Sequence, residues 1–223
     1  MQKLNILMVD DHPMIIEGYQ NTLMATKSED QELTIDIAST CDMANEMMIA
    51  SIKHQNPYDI LFVDIKLPPS KDGSITSGED LAMIARKTLP NAKVIILTMF
   101  NESYRIHNIL KAINPDGFLI KSDLTSNELA KAFQSILVNP PYYSSTVNGF
   151  VRQSITSDIY VDDKNRKILH LLSQGIKTKN LAEHLNLSLS AVEKRKKQLK
   201  DLFKIQDGQD ESLISEAKKK GFI

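Results

Sequence analysis

Cysteine and long apolar runs are scarce in this sequence, and their scarcity excludes several classes of protein. The 223 residues contain one cysteine, Cys41, so no disulfide can form within the chain, which is typical of a reducing compartment. No run approaches the roughly 18 apolar residues of a membrane span, and the apolar stretch after Met1 is too short for a signal peptide. We therefore expect a cytoplasmic protein with no membrane association, in which Cys41 is a structural thiol.

The charges are divided unevenly along a chain that is almost neutral as a whole. Residues 1–150 carry 12 Lys and Arg against 18 Asp and Glu, a net charge of −6, whereas residues 151–223 carry 15 against 10, a net charge of +5. The 42% of hydrophobic residues are enough for one large core and one smaller core. We therefore expect two domains with different partners, and the basic second domain is a candidate for binding nucleic acid.

Short apolar runs alternate with helical patterns over the first 140 residues. This alternation predicts five buried parallel strands and five helices, which is an α/β fold with a doubly wound five-stranded parallel sheet. The strands are expected at about 4–9, 34–39, 60–64, 93–98 and 117–121, and the helices at about 13–24, 42–54, 79–89, 102–113 and 125–138. Signals for helix starts support these helix positions. Pro13 stands in a first turn, Thr125 with Glu128 forms a capping box, and Ser77 with Asp80 forms a weaker one.

Polar residues stand where four of these strands end. Asp10 and Asp11 follow the first strand, and Asp64, Thr98 and Lys121 end the third, fourth and fifth strands. Because the carboxyl ends of parallel strands share one edge of the sheet, where ligands bind, we expect these groups to converge there.

Three crowded carboxylates repel one another, and they are suited to hold a small divalent cation such as Mg²⁺. A carboxylate that faces this cation can attack a phosphoryl group, and Asp64 is the expected nucleophile. The hydroxyl of Thr98 and the ammonium of Lys121 would hold the phosphoryl oxygens.

Residues 1–140 resemble the receiver domain of two-component response regulators, a flavodoxin-like fold. The resemblance lies in the motifs ILMVDDHP at 6–13, DILFVDIKLP at 59–68, LTMF at 97–100 and GFLIK at 117–121. It implies that Thr98 and Phe118 form the switch pair that reports phosphorylation.

The same resemblance implies the remaining roles at this site. Asp64 would be the phosphoacceptor. Asp11 would bind Mg²⁺ directly and Asp10 mostly through water, while the backbone carbonyl of Lys66 would complete the metal shell. Two stretches, 67–79 and 25–32, are longer than usual and are expected to be polar surface insertions, the first beside Asp64.

After Asn139 the periodic pattern is lost, which predicts a linker over 139–157 and a second, all-α domain over 158–223. Helices are expected at about 163–173, with Asp162 as N-cap, at 178–185, at 189–203 and at 210–220. The second and third of these read as a helix-turn-helix joined by 186–188. In the third, Val192, Leu199, Leu202 and Phe203 mark the buried face.

This second domain resembles the LuxR-type helix-turn-helix, and the whole chain therefore resembles the NarL/FixJ family of transcriptional response regulators. The expected DNA-binding residues are Thr178, Lys179, Lys194, Arg195, Lys197 and Lys200. The chain departs from the family pattern at Ala191, Asn165 and Glu193, so the DNA sequence preference does not transfer. The resemblance implies that the last helix serves dimerisation on DNA; packing within the domain is the alternative.

The expected function is that of a DNA-binding transcription regulator, not an enzyme. A histidine kinase would phosphorylate Asp64 with Mg²⁺, and a homodimer would bind double-stranded DNA. One alternative is a regulator of the same build that binds DNA independently of phosphorylation. Another is an aspartyl-phosphate phosphotransferase or phosphatase, which is disfavoured because Lys66 stands where such enzymes carry a second aspartate and because no cap domain is evident.

Overall fold

A computed structural model describes residues 2–156 and 159–223 of the protein. The chain divides into two compact units, Met1–Asn101 with Asn108–Asn148, and Glu102–His107 with Gly149–Ile223. No helix in the described ranges has the length and hydropathy needed to cross a membrane.

The first unit is an α/β structure with a parallel sheet, as the alternation of apolar runs and helical patterns predicts. Its strands are β1 (Gln2–Val9), β2 (Gln31–Ala38), β3 (Ile60–Asp64), β4 (Lys93–Thr98), β5 (Gly117–Ile120) and β6 (Tyr142–Tyr143). The helices between and beside them are α1 (Pro13–Thr26), α2 (Cys41–Lys53), α3 (Gly78–Thr88), α4 (Ser103–Ile113) and α5 (Ser126–Val138). The start of α4, up to His107, is counted with the second unit. The strand order β2-β1-β3-β4-β5-β6 is that of a doubly wound sheet, with a sixth short strand beyond the five predicted.

The sheet is buried because helices cover both of its faces. Helices α1 and α5 pack together on one side, and α2 packs against α3. All five residues of β3 and all four of β5 are buried, which explains why these strands are continuous apolar runs without alternation. One cluster of the core joins Ile6, Phe62 and Leu97 of the sheet to Leu23 of α1 and Phe133 of α5.

The segment after α5, for which the sequence predicts an irregular linker, contains regular structure. Tyr142 and Tyr143 form β6 in parallel with Gly117 and Phe118, and helix α6 follows at Ser145–Thr156. The phenol of Tyr142 donates a hydrogen bond to Glu128 of α5. The strand thus depends on partners elsewhere in the unit, which a search for local periodicity does not detect. The predicted end of the linker at 157 and the start of the second domain at Asp158 lie outside the described residues.

The second unit carries α7 (Asp163–Ser173), α8 (Thr178–Leu185), α9 (Leu189–Leu202) and α10 (Asp210–Lys219), close to the predicted bounds. Its core brings together Leu169, Leu181, Val192, Leu199 and Leu213, all fully buried, with further apolar residues around them. The prediction for Leu202 is wrong: this residue is 39% exposed, because Phe203 fills the buried position at the end of α9.

Of the side chains predicted to cap helix N-termini, two do so and one does not. Thr125 and Asp162 accept hydrogen bonds from the amides of the first turns of α5 and α7, as predicted. Ser188, for which no cap was predicted, accepts one from the first turn of α9. Ser77 makes no such bond, and Asp80 instead accepts from the amide and hydroxyl of Thr76.

Candidate functional site

Four strand ends of the first unit meet at one edge of the sheet. The register pairs Val9 with Val63 and Thr98 with Ile120, so the residues that follow these strands lie side by side. The edge gathers the side chains of Asp10, Asp64 and Lys121. Asp10 and Asp64 are each 2% exposed, so they form a buried pair of acidic groups.

Lys121 compensates the charge of this pair. Its ammonium nitrogen lies 2.6 Å from Asp10 Oδ2 and 2.7 Å from Asp64 Oδ2. Burial by itself would lower the pKa of the Lys121 ammonium, but the hydrogen bonds and negative charges of both aspartates outweigh it and raise that pKa above its ordinary value. The lysine is therefore a fixed positive charge at neutral pH.

The second aspartate of the Asp10-Asp11 motif, Asp11, lies at the outer rim of the site with His12. The imidazole Nδ1 of His12 is 2.7 Å from Asp11 Oδ1 and 3.1 Å from Asp10 Oδ1. The ligand atoms of Asp10, Asp11, His12 and Asp64 all lie within 4.8 Å of one another. Such a set, rich in hard oxygen donors and open on one side, fits a small divalent cation.

Two backbone features hold Asp64 in place. The amide of Lys66 donates a hydrogen bond to Asp64 Oδ1 at 3.1 Å, so both carboxylate oxygens have a partner. Gly78, the first residue of α3, donates its N–H to the carbonyl of Ile65 at 3.1 Å. A Cβ atom at Gly78 would lie 1.8 Å from the carbonyl oxygen of Asp64, so this contact requires glycine. The sequence pattern assigned no role to Gly78 or His12; the position of Gly78 at the start of a helix was the available signal.

Thr98 and Phe118 lie on the neighbouring strands β4 and β5 and are both fully buried. Since Thr98 pairs with Ile120, two residues beyond Phe118, the side chains of all three lie on the same face of the sheet. The Thr98 hydroxyl accepts a hydrogen bond from the amide of Phe100.

The long stretch 67–79 is a loop beside this edge up to Ser77, and its last two residues already belong to α3. Ser70 and Ile75 are buried, and the amide of Ser70 donates to the carbonyl of Ile75. Hydrogen bonds from Ser70 and Ser74 lower the pKa of Asp72 to about 2. The amide of Lys71 donates to the carboxylate of Asp42 in α2. The insertion is therefore only partly the polar surface segment that the sequence predicts, because it contributes its own buried residues.

In the second unit, α8 and α9 form a helix-turn-helix. Asn186 takes a left-handed conformation with φ of 52°, and Leu187 donates its N–H to the carbonyl of Ala182. This is the geometry that ends a helix with an αL residue and turns the chain sharply. Lys196 of α9 donates to the hydroxyl of Thr178 at the start of α8 and pairs with Asp210 of α10.

The basic residues predicted to bind DNA fall into two groups. Lys179, Lys194 and Lys197 are exposed, and within the described residues no hydrogen bond or ion pair engages them. Arg195 instead donates to Asp162 at 2.9 Å and to Asn165 at 2.9 Å.

Lys200 belongs with Arg195 in the second group. It pairs with Asp210 Oδ1 at 2.7 Å. Arg195 and Lys200 thus already join α9 to the flanking segments, while Thr178 is half-buried beneath Lys196.

Comparison with known proteins gives a family and several relatives. The response regulator receiver domain family matches residues 6–134, which is more than half of the chain. The oxygen regulatory protein NreC of Staphylococcus epidermidis is 24% identical over 206 residues, covering 86% of this chain and 88% of the relative. The transcriptional regulatory protein MctR of Rhizobium johnstonii is 26% identical over 201 residues, covering 89% and 86%.

Solved structures share the fold along almost the whole chain. A structure of two RcsB dimers bound to two parallel DNAs superposes with a TM-score of 0.63 at 19% identity, covering 97% of this chain and 98% of that one. RcsB from Salmonella enterica serovar Typhimurium, bound to promoter rprA with the phosphomimetic BeF3-, gives a TM-score of 0.61 at 20% identity, covering 96% and 97%. At these identities the likeness concerns the fold. The chain belongs to the response regulator receiver domain family and joins that domain to a C-terminal helix-turn-helix domain, which is the NarL/FixJ arrangement.

Proposed function

We propose that this protein is a transcription regulator whose binding to DNA is switched by phosphorylation of Asp64. The observation that carries the proposal is the buried cluster in which Lys121 lies within 2.7 Å of both Asp10 and Asp64. A structural ion pair needs one carboxylate for one ammonium. Two buried carboxylates on one lysine, with Asp11 at the rim, leave a negative site that suits a divalent cation and, with it, a phosphoryl group.

The residues that would hold Mg²⁺ are Asp10, Asp11, Asp64 and the backbone carbonyl of Lys66. When bound, the ion neutralises the carboxylates and the phosphoryl oxygens, so that the two can approach each other. The phosphoryl group is expected to come from a phosphohistidine of a sensor kinase. An oxygen of Asp64 forms the new bond to phosphorus while the bond from phosphorus to the histidine nitrogen breaks, and the electron pair stays with the imidazole.

The remaining side chains position the group that arrives. The Lys66 amide keeps the Asp64 carboxylate in a fixed orientation, and the charged Lys121 moves its ammonium from Asp64 to a phosphoryl oxygen. The Thr98 hydroxyl turns toward another phosphoryl oxygen. Phe118 then repacks in the space that Thr98 leaves on the same face of the sheet, which shifts a two-state equilibrium.

The DNA-binding half of the proposal is carried by α9. Its exposed Lys194 and Lys197 are three residues apart and therefore project from one face. The first turn of α8, with Thr178 and Lys179, presents amides to a phosphate of the DNA backbone. The relatives support this assignment, because MctR is named as a transcriptional regulatory protein and RcsB was solved as dimers on DNA. We infer that this chain also acts on DNA as a homodimer.

The phosphoacceptor assignment is tested by labelling with a small phosphodonor, acetyl phosphate, and Mg²⁺, read by intact mass. The wild type should gain one phosphoryl group and Asp64→Asn none, because the amide is not a nucleophile. Asp59→Asn is the matched control. Asp59 is exposed and lies just before the first residue of β3, at the opposite end of the strand from Asp64, so this variant should label like the wild type. Equal incorporation in Asp64→Asn and wild type would show that the acceptor lies elsewhere.

A further inference from the structure

The short 3₁₀ turn Lys121–Asp123, which follows β5, touches two different parts of the first unit. Lys121 at its start contacts the two buried aspartates of the phosphoacceptor site. Asp123 at its end contacts the first turn of α6. Its Oδ2 accepts the amide of Thr146 at 2.9 Å, and its Oδ1 accepts the hydroxyl of the same threonine at 2.9 Å.

Ser144, the residue before α6, explains why the helix needs this distant carboxylate. A serine in that position usually caps its own helix with its hydroxyl. Here Ser144 is fully buried, and its hydroxyl oxygen accepts the amide of Ile120 at 3.1 Å. Its own amide donates to the carbonyl of Phe118 at 3.0 Å. The oxygen of the serine hydroxyl is thus engaged by β5, while the hydroxyl itself donates to Asp123, and Asp123 supplies the cap of α6.

The charge of the Asp123 carboxylate also favours its role as the cap of α6. The first turn of α6 contains no acidic residue, so Asp123 is the carboxylate that faces the positive end of this helix. Burial alone would raise the pKa of Asp123, but hydrogen bonds from Ser144, Thr146 and Ser145 outweigh it and hold that pKa below its ordinary value. The carboxylate is therefore ionised whenever the protein is near neutral pH.

We infer that Asp123 is a positioning residue that couples Lys121 to helix α6. The turn is three residues long, so a shift of Lys121 moves Asp123, and with it the capped end of α6. Ser144 adds a second link, because it joins the same end to Phe118 and Ile120 of β5. Along the chain, α6 leads from the receiver to the helix-turn-helix. In its consequence for signalling, the inference rests on the proposed phosphorylation of Asp64.

The first test needs no phosphoryl group. Hydrogen exchange of the α6 amides at 145–150 is measured by mass spectrometry in the full-length wild type, Lys121→Met, Asp123→Ala and the double variant. Lys121→Met should change this exchange by on the order of tenfold in the wild type and hardly at all when Asp123 is absent, since residues coupled through a shared backbone shift show interaction energies of that size. A residue that merely stabilised α6 would give independent effects, so equal factors in both backgrounds would overturn the inference. So would an unchanged α6 in Lys121→Met.

A control variant separates this coupling from the general loss of a helix cap. Thr40→Ala removes the side-chain cap of α2, where Thr40 accepts the amide of Met43. In that background the effect of Lys121→Met on α6 should remain as in the wild type. If Asp123→Ala does not fold, judged by exchange of the β-sheet amides, Asp123→Asn replaces it; the asparagine keeps an acceptor oxygen without the charge and should retain part of the coupling.

The second test uses beryllofluoride with Mg²⁺, which stands in for the phosphoryl group on Asp64. Fluorine NMR reports whether the receiver has bound it, and exchange of 145–150 reports whether α6 responds. We expect binding in both proteins and a response only in the wild type. Binding with an equal response in Asp123→Ala would overturn the inference. A wild type that binds no beryllofluoride would contradict the proposed function instead. The comparison of Lys121→Met, Asp123→Ala and the double variant would then still decide whether Lys121 is coupled to α6.

Discussion

Replacing Gly78 with alanine should disturb the phosphoacceptor site, because the added methyl group meets the backbone of Asp64. The added Cβ would lie 1.8 Å from the carbonyl oxygen of Asp64 and 3.0 Å from the Cα of Ile65. Both are backbone atoms at the end of a fully buried strand, so neither can rotate away. The start of α3 or the end of β3 must move instead.

The size of the effect follows from this geometry. Non-bonded heavy atoms prefer to be about 3.5 Å apart, and the contact would be 1.8 Å, so the required displacement is roughly 1.7 Å. Overpacking of this kind costs about 1–3 kcal/mol. The higher helix propensity of alanine offsets up to about 1 kcal/mol, and we expect a net loss of stability of about 2 kcal/mol. Gly18 provides the control, since it lies within α1 and a Cβ there would meet no atom within 4 Å, and Gly18→Ala should stabilise by about 0.5–1 kcal/mol.

The single cysteine provides the assay. Cys41 lies in α2 of the same unit and is fully buried, so a thiol reagent reaches it only when the unit opens. Gly78→Ala should label on the order of 30-fold faster than the wild type, and Gly18→Ala several-fold slower. Because the displaced backbone is that of Asp64, phosphoryl uptake should also fall in Gly78→Ala. If Gly78→Ala showed wild-type rates of both thiol labelling and phosphoryl uptake, the close contact between residue 78 and the backbone of Asp64 would not matter for stability or for the site.

Acid and DNA titrations test the second unit. Burial alone would raise the pKa of Asp210, but Lys196 and Lys200 lower it overall, so the unfolded chain binds the proton more readily. The stabilisation by the ionised Asp210 is thus complete above about pH 4 and is lost as the pH falls further. The melting temperature of Asp210→Asn should therefore fall less between pH 6 and pH 3 than that of the wild type. An equal fall in both proteins would exclude a stabilising role of the Asp210 carboxylate. On DNA, Lys197→Ala should cost about 1–3 kcal/mol at a preferred site and less on scrambled duplex, whereas Lys179→Ala should weaken both equally and reduce the salt slope by roughly one. Identical losses on both duplexes for Lys197→Ala would remove its base-reading role.

The receiver could be predicted from the sequence because its signals are local. Each buried strand is a short apolar run, and each of Asp10, Asp64, Thr98 and Lys121 stands at the end of one. In a parallel sheet the strand ends share an edge, so the order of elements alone brings these residues together. The helix-turn-helix was predictable for a similar reason, since its two helices are joined by a short turn and α9 carries a regular apolar stripe after Ser188.

Other features depend on partners that are distant in sequence. The strand β6 is only two residues long and exists because β5 offers an edge, and Asp123 caps a helix that begins 22 residues later. A run of basic residues does not distinguish a lysine in solvent from one that is paired. Arg195 finds Asp162 across 33 positions, and this partnership becomes visible only in the folded unit.

Whether phosphorylation switches DNA binding is measured as DNA affinity with and without beryllofluoride, in the presence of Mg²⁺, for the wild type and Asp64→Asn. The duplex is one selected for binding by the wild-type protein, and the same salt concentration is used throughout, because salt alone changes affinity strongly. We expect beryllofluoride to tighten binding by the wild type and to leave Asp64→Asn unchanged. Equal affinity of the wild type in both states, with beryllofluoride shown to be bound, would contradict a phosphorylation switch.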